Sequence, residues 1–252
     1  RALGVKAFNF PKLNIEKWLM VNFKMDRLPK QHIVDRYMST VADLGVQNDG
    51  QGLDLYIPPD REVERSTLPA AHQIGYTAFA IGAAHATKRL PPHKLIELAA
   101  LIEGPIVLVG GKEDQAVARS IASATGGRVF DATGKYDILG SASLIRQARR
   151  VIAHDSGAMH IASAFVNTAA GPAGSGAEGA SGITEIVSVW GSTIPSFGMG
   201  PYLPTHPERA RIAEVDVECR PCSKIGHERC PHGHFRCMEQ QDLTNIANTI
   251  KT

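Results

Sequence analysis

A short stretch of the chain combines an acid, a hydroxyl, a glycine and an imidazole where a predicted strand gives way to a predicted helix. Asp155, Ser156 and Gly157 follow the apolar run 151–153, and His160 lies near the start of an apolar helical pattern. A carboxylate there could accept hydrogen bonds from two sugar hydroxyls, and a glycine lets the backbone come close to a phosphate. Alternatively, aspartate and serine commonly cap helix N-termini, and a lone histidine is more often a half-buried structural residue. Both interpretations stay open at this point.

Small and polar residues also follow the other predicted strands. Thr87 and Lys88 come after the first strand, and Gly111, Glu113 and Asp114 come after the second. Ligands of open parallel α/β sheets bind beyond the carboxyl ends of the strands, so these residues should meet in one crevice. A lysine, a hydroxyl and the N–H groups of helix N-termini suit phosphate, and either acid could accept hydrogen bonds from a ribose. Each signal is weak alone, but together at successive strand ends they favour an anionic sugar nucleotide as the ligand.

The four cysteines of the chain all lie in one segment near its end, at Cys219, Cys222, Cys230 and Cys237. A C-x-x-C pair followed by two more cysteines suits tetrahedral zinc coordination, and histidines in the same segment are spare ligands: His227, His232 and His234. The alternative is a compact loop of reduced thiols, because the last two cysteines do not form a second C-x-x-C. A secreted disulfide scaffold would spread its cysteines over a small chain, so the clustering favours a reducing cytoplasm.

A regular alternation of strands and helices positions these residues. Strands are predicted at 76–82, 105–111, 128–134, 151–155 and 185–191, and helices at 91–103, 113–126, 137–150, 158–165 and 239–250. Because the strands are almost continuously apolar, they indicate an α/β fold with a parallel sheet covered on both faces. The last helix is expected to pack back across the molecule.

The beginning of the chain is predicted to belong to a different domain. Residues 1–70 are expected to be the last part of a first domain and a linker, and residues 71–252 a second domain that binds the ligand. The first part contains an amphipathic segment at 12–23, a predicted helix at 30–46, a strand at 53–58 and a linker at 60–75. Residues 167–182 are almost all Ala, Gly, Ser and Pro, which predicts a flexible surface insertion.

Composition excludes several classes of protein. The 252 residues are 43% hydrophobic and 21% charged, as in globular proteins. A net charge of +2 is too small to favour nucleic acid as a partner. The sequence has neither an apolar run of 18 residues nor a secretory signal at its start. It begins with Arg1 rather than with methionine, so we expect a fragment of a longer protein.

Several of these segments together resemble the family 9 glycosyltransferases, the lipopolysaccharide heptosyltransferase family. The string RRVIAHDSGAMHIASAF (149–165) resembles the family's apolar strand followed by D-S/T-G-x-x-H, and VSVWGSTIPSFGMGPY (187–202) resembles its WG-x-T-P turn. VLVGGKEDQAVARSIA (107–122) resembles its GG-x-E-D turn. The resemblance extends over nearly the whole chain and is most specific in the first two strings.

The resemblance implies a GT-B architecture, in which two Rossmann-like domains face each other and the C-terminal one holds the donor. It implies an inverting transferase that moves a heptose or related sugar from an ADP-heptose-like donor to a lipopolysaccharide core acceptor. It further implies a cytoplasmic protein, with peripheral contact with the inner membrane as an option. No cofactor is obligatory for this reaction, and the cysteine spacing leaves a structural zinc as an option.

The same resemblance implies roles for individual residues. Thr87 and Lys88 match positions that face the donor diphosphate, and Gly111, Glu113 and Asp114 belong to the turn that meets the ribose. The motif that holds the donor sugar and phosphates corresponds to Asp155, Ser156, Gly157 and His160. Lys88 and Asp155 are the predicted catalytic residues, because charge builds on the leaving diphosphate and the sugar must be held for attack.

One feature keeps other functions open. The strand, glycine-rich turn and aspartate general base that begin the family's N-terminal half do not precede Arg1, so this chain alone is expected to be incomplete for catalysis. The alternatives are a non-catalytic nucleotide-binding or zinc-binding module, and another GT-B enzyme such as a sugar-nucleotide epimerase.

Overall fold

A six-stranded parallel sheet forms the centre of the protein. A computed structural model describes residues 4, 7–166 and 182–248. The strands are β1 (Thr77–Ala80), β2 (Ile106–Val109), β3 (Val129–Asp131), β4 (Arg150–His154), β5 (Glu185–Trp190) and β6 (Ala210–Glu214). Their order is β3-β2-β1-β4-β5-β6, and every neighbouring pair is parallel. This confirms the α/β fold with a parallel sheet.

The helices lie before, between and after the strands. Their bounds are α1 Asn14–Phe23, α2 Ile33–Ser39, α3 Ala70–Ile74, α4 Pro92–Leu101, α5 Gln115–Ala124, α6 Ile138–Arg146, α7 Gly157–Ser163, α8 Arg236–Glu239 and α9 Leu243–Ala247. The predicted helices at 91–103, 113–126, 137–150 and 158–165 are confirmed with shorter bounds. The predicted terminal helix is formed as α9, which packs against α4.

The sheet is buried on both faces because successive strand residues point to opposite sides. One core contains Ala78, Val107, Val151 and Ile186 of the strands with Leu144 of α6 and Met159 of α7. The opposite core contains Phe79, Leu108, Ile152 and Val187 with Leu98 of α4, Ile121 of α5 and Ile246 of α9. Strands buried in this way need no polar alternation, which is why their sequences are apolar throughout.

Two strands differ from the predictions. The strand predicted at 53–58 is wrong: these residues pair with no described strand, although Ile57 is buried against the core. β6 was not predicted, because its sequence ARIAE alternates with charged residues and only Ala213 is buried. An edge strand that pairs on one side needs only a short apolar face, so its pattern is weak.

The described residues before β1 contain helices and turns but no strand. The predicted linker 60–75 is fastened to α6: Arg61 contacts Asp137 at 2.8 Å, and Glu62 contacts Arg146 at 2.7 Å. The domain boundary at residue 70 stays a prediction. Residues 167–181 of the predicted insertion lie outside the described residues.

None of the described helices is both long enough and apolar enough to cross a membrane.

Candidate functional site

A cavity of about 740 Å³ opens at the carboxyl ends of β1, β2 and β4. From β1 the sheet grows outward through β2 to β3, and the chain then returns to place β4 on the other side of β1. The cavity therefore lies at the topological switch point, where open α/β sheets bind ligands. Its walls include Lys88, Gly111, Glu113, Asp114, Asp155, Ser156, Gly157 and His160. The structure thus brings together every predicted donor-binding residue except Thr87.

An ion pair joins the two predicted catalytic residues in the cavity wall. Lys88 ends a 3₁₀ turn (Ala86–Lys88) after β1, and Asp155 follows β4, the strand hydrogen-bonded beside β1. The Lys88 Nζ lies 2.7 Å from Asp155 Oδ2, and these side chains are only 16% and 7% exposed. Thr193 Oγ1 donates a hydrogen bond to the same carboxylate oxygen at 2.7 Å. The pair is nearly shielded from water and fixes the ammonium group at the cavity surface.

The capping interpretation of Asp155 and Ser156 is wrong. Ser156 occupies the N-cap position of α7, but its side chain makes no capping hydrogen bond. Its buried Oγ has no hydrogen-bond partner among the described residues. Asp155 bonds sideways to Lys88 and Thr193 rather than to the helix. Both side chains therefore face the cavity region for a reason other than capping.

The two acids of the turn after β2 have different environments. Asp114 is 5% exposed, and its Oδ2 accepts a hydrogen bond from the Gly111 N–H at 2.9 Å. Its other oxygen lies 3.5 Å from Arg89 Nη1. Glu113 is exposed and lines the cavity. Asp114 therefore holds the turn together, and Glu113 is the acid that a ligand can reach.

Two glycines leave room for the Asp114 carboxylate. A Cβ on Gly82 would lie 2.5 Å from Asp114 Oδ2, and one on Gly110 would lie 2.7 Å from it. Because the carboxylate is buried and bonded, it cannot move away easily. These glycines and Arg89 line the cavity. From sequence alone Arg89 is expected to be a solvated surface residue, because its contact with Asp114 depends on the fold.

Two histidines near the site are held neutral. Burial lowers the pKa of His160, which lines the cavity; nearby His32 and Lys88 lower it further, whereas Asp155 raises it. Burial also lowers the pKa of His154, to about 4. The His154 Nε2 accepts a hydrogen bond from the Leu90 N–H at 3.0 Å, which ties the end of β4 to the segment before α4. Sequence reasoning missed His154, although an imidazole inside an apolar strand was the available signal.

Thr87 lies behind the cavity wall rather than in it. It is 1% exposed, and its Oγ1 accepts hydrogen bonds from the His227 N–H and the Ser192 hydroxyl, both at 2.8 Å. The same hydroxyl donates to the His227 carbonyl at 3.1 Å. Since its hydrogen-bonding capacity is used within the protein, the side chain supports the turn that carries Lys88 and does not face a ligand.

The predicted metal ligands come together in part. The ligand atoms of Cys219, Cys222 and His232 all lie within 4.8 Å of one another. Cys230 and Cys237 are free thiols outside this group of described residues. None of these residues lines the cavity at the switch point.

Comparisons with known proteins agree with this geometry. The family model described as "Glycosyltransferase family 9 (heptosyltransferase)" matches residues 14–168. No curated protein matches the chain.

Three solved structures have a similar fold. A family 9 glycosyl transferase from Veillonella parvula is 21% identical to this chain, with a TM-score of 0.62. The match covers 91% of this chain and 62% of that structure. The ADP-heptose LPS heptosyltransferase II of E. coli is 18% identical to this chain, with a TM-score of 0.53. The match covers 86% of this chain and 62% of that structure. The E. coli heptosyltransferase WaaC with ADP-2-deoxy-2-fluoro heptose is 18% identical to this chain, with a TM-score of 0.50. The match covers 76% of this chain and 52% of that structure.

The chain therefore spans at most 62% of the length of these three structures. At these identities the structural matches are evidence for the fold alone, and they confirm the α/β fold of the GT-B type. The family model covers more than half of the described chain, including the strand ends that form the cavity. On this match, the chain belongs to glycosyltransferase family 9.

Proposed function

We propose that the cavity at the switch point binds a nucleotide-sugar donor, and that the protein transfers a heptose or related sugar from an ADP-heptose-like donor to a lipopolysaccharide core acceptor. The observation that carries this proposal is the Lys88–Asp155 pair in the cavity wall. Membership of family 9 and the two E. coli heptosyltransferases, one named for ADP-heptose and one with an ADP-heptose analogue, support this donor class.

Lys88 would bind the donor diphosphate. An ammonium group has three N–H donors, and one of them is directed to Asp155. The remaining donors and the positive charge would be available to phosphate oxygens at the cavity surface. When the sugar–phosphate bond breaks, negative charge builds on the departing diphosphate, and a fixed cation stabilises it without reorganisation. We propose no metal for this step.

Asp155 would hold the donor sugar. Its Oδ2 is shared by Lys88 and Thr193, so Oδ1 would accept a sugar hydroxyl. The buried Ser156 hydroxyl has no partner in the part of the chain that the structure describes, and a bound ligand would satisfy it. Glu113 would accept hydrogen bonds from the ribose. His160, neutral at pH 7, would contact the donor as a hydrogen-bonding group that adds no charge.

The reaction would be a single displacement. The acceptor hydroxyl oxygen forms a bond to the anomeric carbon as the bond from that carbon to the diphosphate oxygen breaks, which inverts the anomeric configuration. A carboxylate base takes the hydroxyl proton, and we assign no described residue to that role. The donor and acceptor classes suggest a cytoplasmic protein with peripheral contact with the inner membrane.

Donor profiling tests this function. The protein, extended to the length of its relatives, is incubated with ADP-heptose, ADP-glucose and UDP-glucose, each with and without a heptose-deficient lipopolysaccharide core. We expect ADP release from ADP-heptose that requires the acceptor, and a glycosylated product with inverted anomeric configuration by NMR. A changed sugar still attached to its nucleotide would show an epimerase instead. Donor binding without turnover, in protein extended to the length of its relatives, would show a non-catalytic module.

A further inference from the structure

We infer that Cys219, Cys222 and His232 form a zinc site, separate from the donor cavity and independent of the function proposed for that cavity. Two thiolates and one imidazole are ligands that suit zinc. Within the described part of the chain, these residues are the one group of three metal-binding side chains close enough to share an ion.

The spacing of the three ligand atoms is near that of a zinc tetrahedron. With Zn–S of about 2.3 Å and Zn–N of about 2.0–2.1 Å, ligand atoms in a tetrahedral site are roughly 3.5–3.8 Å apart. All three atoms here lie within 4.8 Å of one another. A contraction of about 1 Å is within reach of side-chain rotation, particularly for His232, which is exposed.

His234 would support the site without binding the ion. Its Nδ1 accepts a hydrogen bond from the Arg236 N–H at 3.1 Å, so the ring proton belongs on Nε2. That Nε2 lies 3.8 Å from the sulfur of Cys219 and is directed to it. A nitrogen that carries a proton cannot be a zinc ligand, but it can stabilise a coordinated thiolate.

Zinc binding would change one hydrogen bond in the loop. The thiol of Cys222 donates to the Cys219 carbonyl at 3.1 Å. Zinc binds thiolates, so Cys219 and Cys222 each release a proton to solvent when the metal enters, and this hydrogen bond is lost. Two Zn–S bonds replace this hydrogen bond, and they link Cys219 and Cys222 through the ion to His232.

The loop that contains the site supports the turn that carries Lys88. The Cys222 N–H donates to the Ser192 carbonyl at 2.9 Å, and the His227 N–H donates to Thr87 Oγ1 at 2.8 Å. The N–H of Thr87 in turn donates to the His227 carbonyl at 3.1 Å. An ion that fixes residues 219–232 would therefore also restrict the turn at 86–88. We infer a structural role for the zinc.

Metal analysis of purified protein tests the site. We expect about one zinc per chain after growth with added zinc, and loss of most of it in Cys222→Ser and in His232→Asn. Cys230→Ser is the matched control, because Cys230 lies in the same loop outside the three-ligand group, and it should keep its zinc. Wild-type protein without zinc, or a Cys230→Ser variant that loses zinc as fully as Cys222→Ser, would overturn the inference.

A second measurement uses the wild-type chain, so it does not depend on the folding of a variant. The zinc is removed with a chelator and cobalt(II) is added as the probe. We expect the absorption of tetrahedral cobalt–thiolate, and faster hydrogen exchange at 86–88 and 222–227 in the metal-free protein. Absence of cobalt–thiolate absorption would overturn the metal site. Unchanged hydrogen exchange at both segments would overturn its structural role.

Discussion

At the residue scale, the site depends on one contact that serves two purposes. The Lys88–Asp155 pair at 2.7 Å fixes the ammonium group, and it uses only one oxygen of the carboxylate. The types of both residues and their place at strand ends were predictable from sequence. Their contact was not, because it depends on β1 and β4 being neighbours in space. Two substitutions separate the roles of the two side chains.

Replacing Lys88 with alanine should weaken donor binding more than it disturbs folding. A charge-assisted contact contributes ~1.5–3 kcal/mol, so the affinity for ADP measured by calorimetry should fall roughly ten- to a hundred-fold. Lys94→Ala is the control, because Lys94 pairs with Glu97 on α4 and lies outside the cavity wall. Unchanged ADP affinity with a lowered melting temperature would make Lys88 structural.

Replacing Asp155 with asparagine should reduce transfer and spare ADP binding. In protein extended to the length of its relatives, the variant loses a charged acceptor for the sugar hydroxyl, so kcat with ADP-heptose should fall roughly ten- to a hundred-fold. The affinity for ADP should be retained or rise, because the diphosphate becomes the counter-charge of Lys88. Wild-type turnover in Asp155→Asn, with circular dichroism confirming the fold, would remove Asp155 from the mechanism.

At the scale of elements, the buried apolar strands and the turns that end them were predictable from sequence. The edge strand β6 and the contacts between elements were not. β1, β2, β4 and β5 are buried on both faces, so their sequences identify them. β6 pairs only at the edge and carries charge, so its sequence does not. The 53–58 segment shows that alternation alone does not make a strand when no partner is beside it.

The turn after β2 gives a prediction that separates its two acids. Asp114→Ala removes the buried acceptor of the Gly111 N–H, so the free energy of unfolding should fall by ~1–3 kcal/mol. Glu113→Ala should leave the unfolding free energy nearly unchanged and lower ADP affinity roughly tenfold. Urea denaturation and calorimetry on both variants test this. Equal loss of stability in the two would contradict the assignment.

The end of β4 gives a prediction about pH. The pKa of His154 is lowered to about 4 by burial, so between its ordinary pKa of about 6.5 and about 4 the unfolded chain binds more protons than the folded one. Its contribution to stability is complete above about pH 6.5 and declines as pH falls, by up to about 3 kcal/mol.

His154→Gln keeps an acceptor for the Leu90 N–H and removes the titrating group. Its unfolding free energy should therefore decline less than that of the wild type between pH 6.5 and pH 4.5. Parallel curves for the two proteins over that interval would show that His154 does not contribute to the acid sensitivity.

At the scale of the whole molecule, distant segments contact the loops that follow β5 and β6. Arg36 of α2 is 1% exposed and donates to the Phe197 carbonyl at 3.2 Å. Lys24, which follows α1, donates to the carbonyls of Cys219 and Pro221 at 3.0 and 2.9 Å. These contacts join residues more than 150 positions apart, so no local pattern could predict them. The place of the ligand-binding candidates at the carboxyl ends of the strands was predictable. The strand order that brings the ends of β1, β2 and β4 around one cavity was not.

The structure of the protein in complex with ADP tests the central claim most directly. We expect the diphosphate within hydrogen-bond distance of Lys88 Nζ, with the ribose beside Glu113 and the vacant space next to Asp155 and Ser156 left for the sugar. A nucleotide bound elsewhere, such as the cavity of about 570 Å³ beside Ile194 and Arg220, with Lys88 and Asp155 uncontacted, would contradict the account.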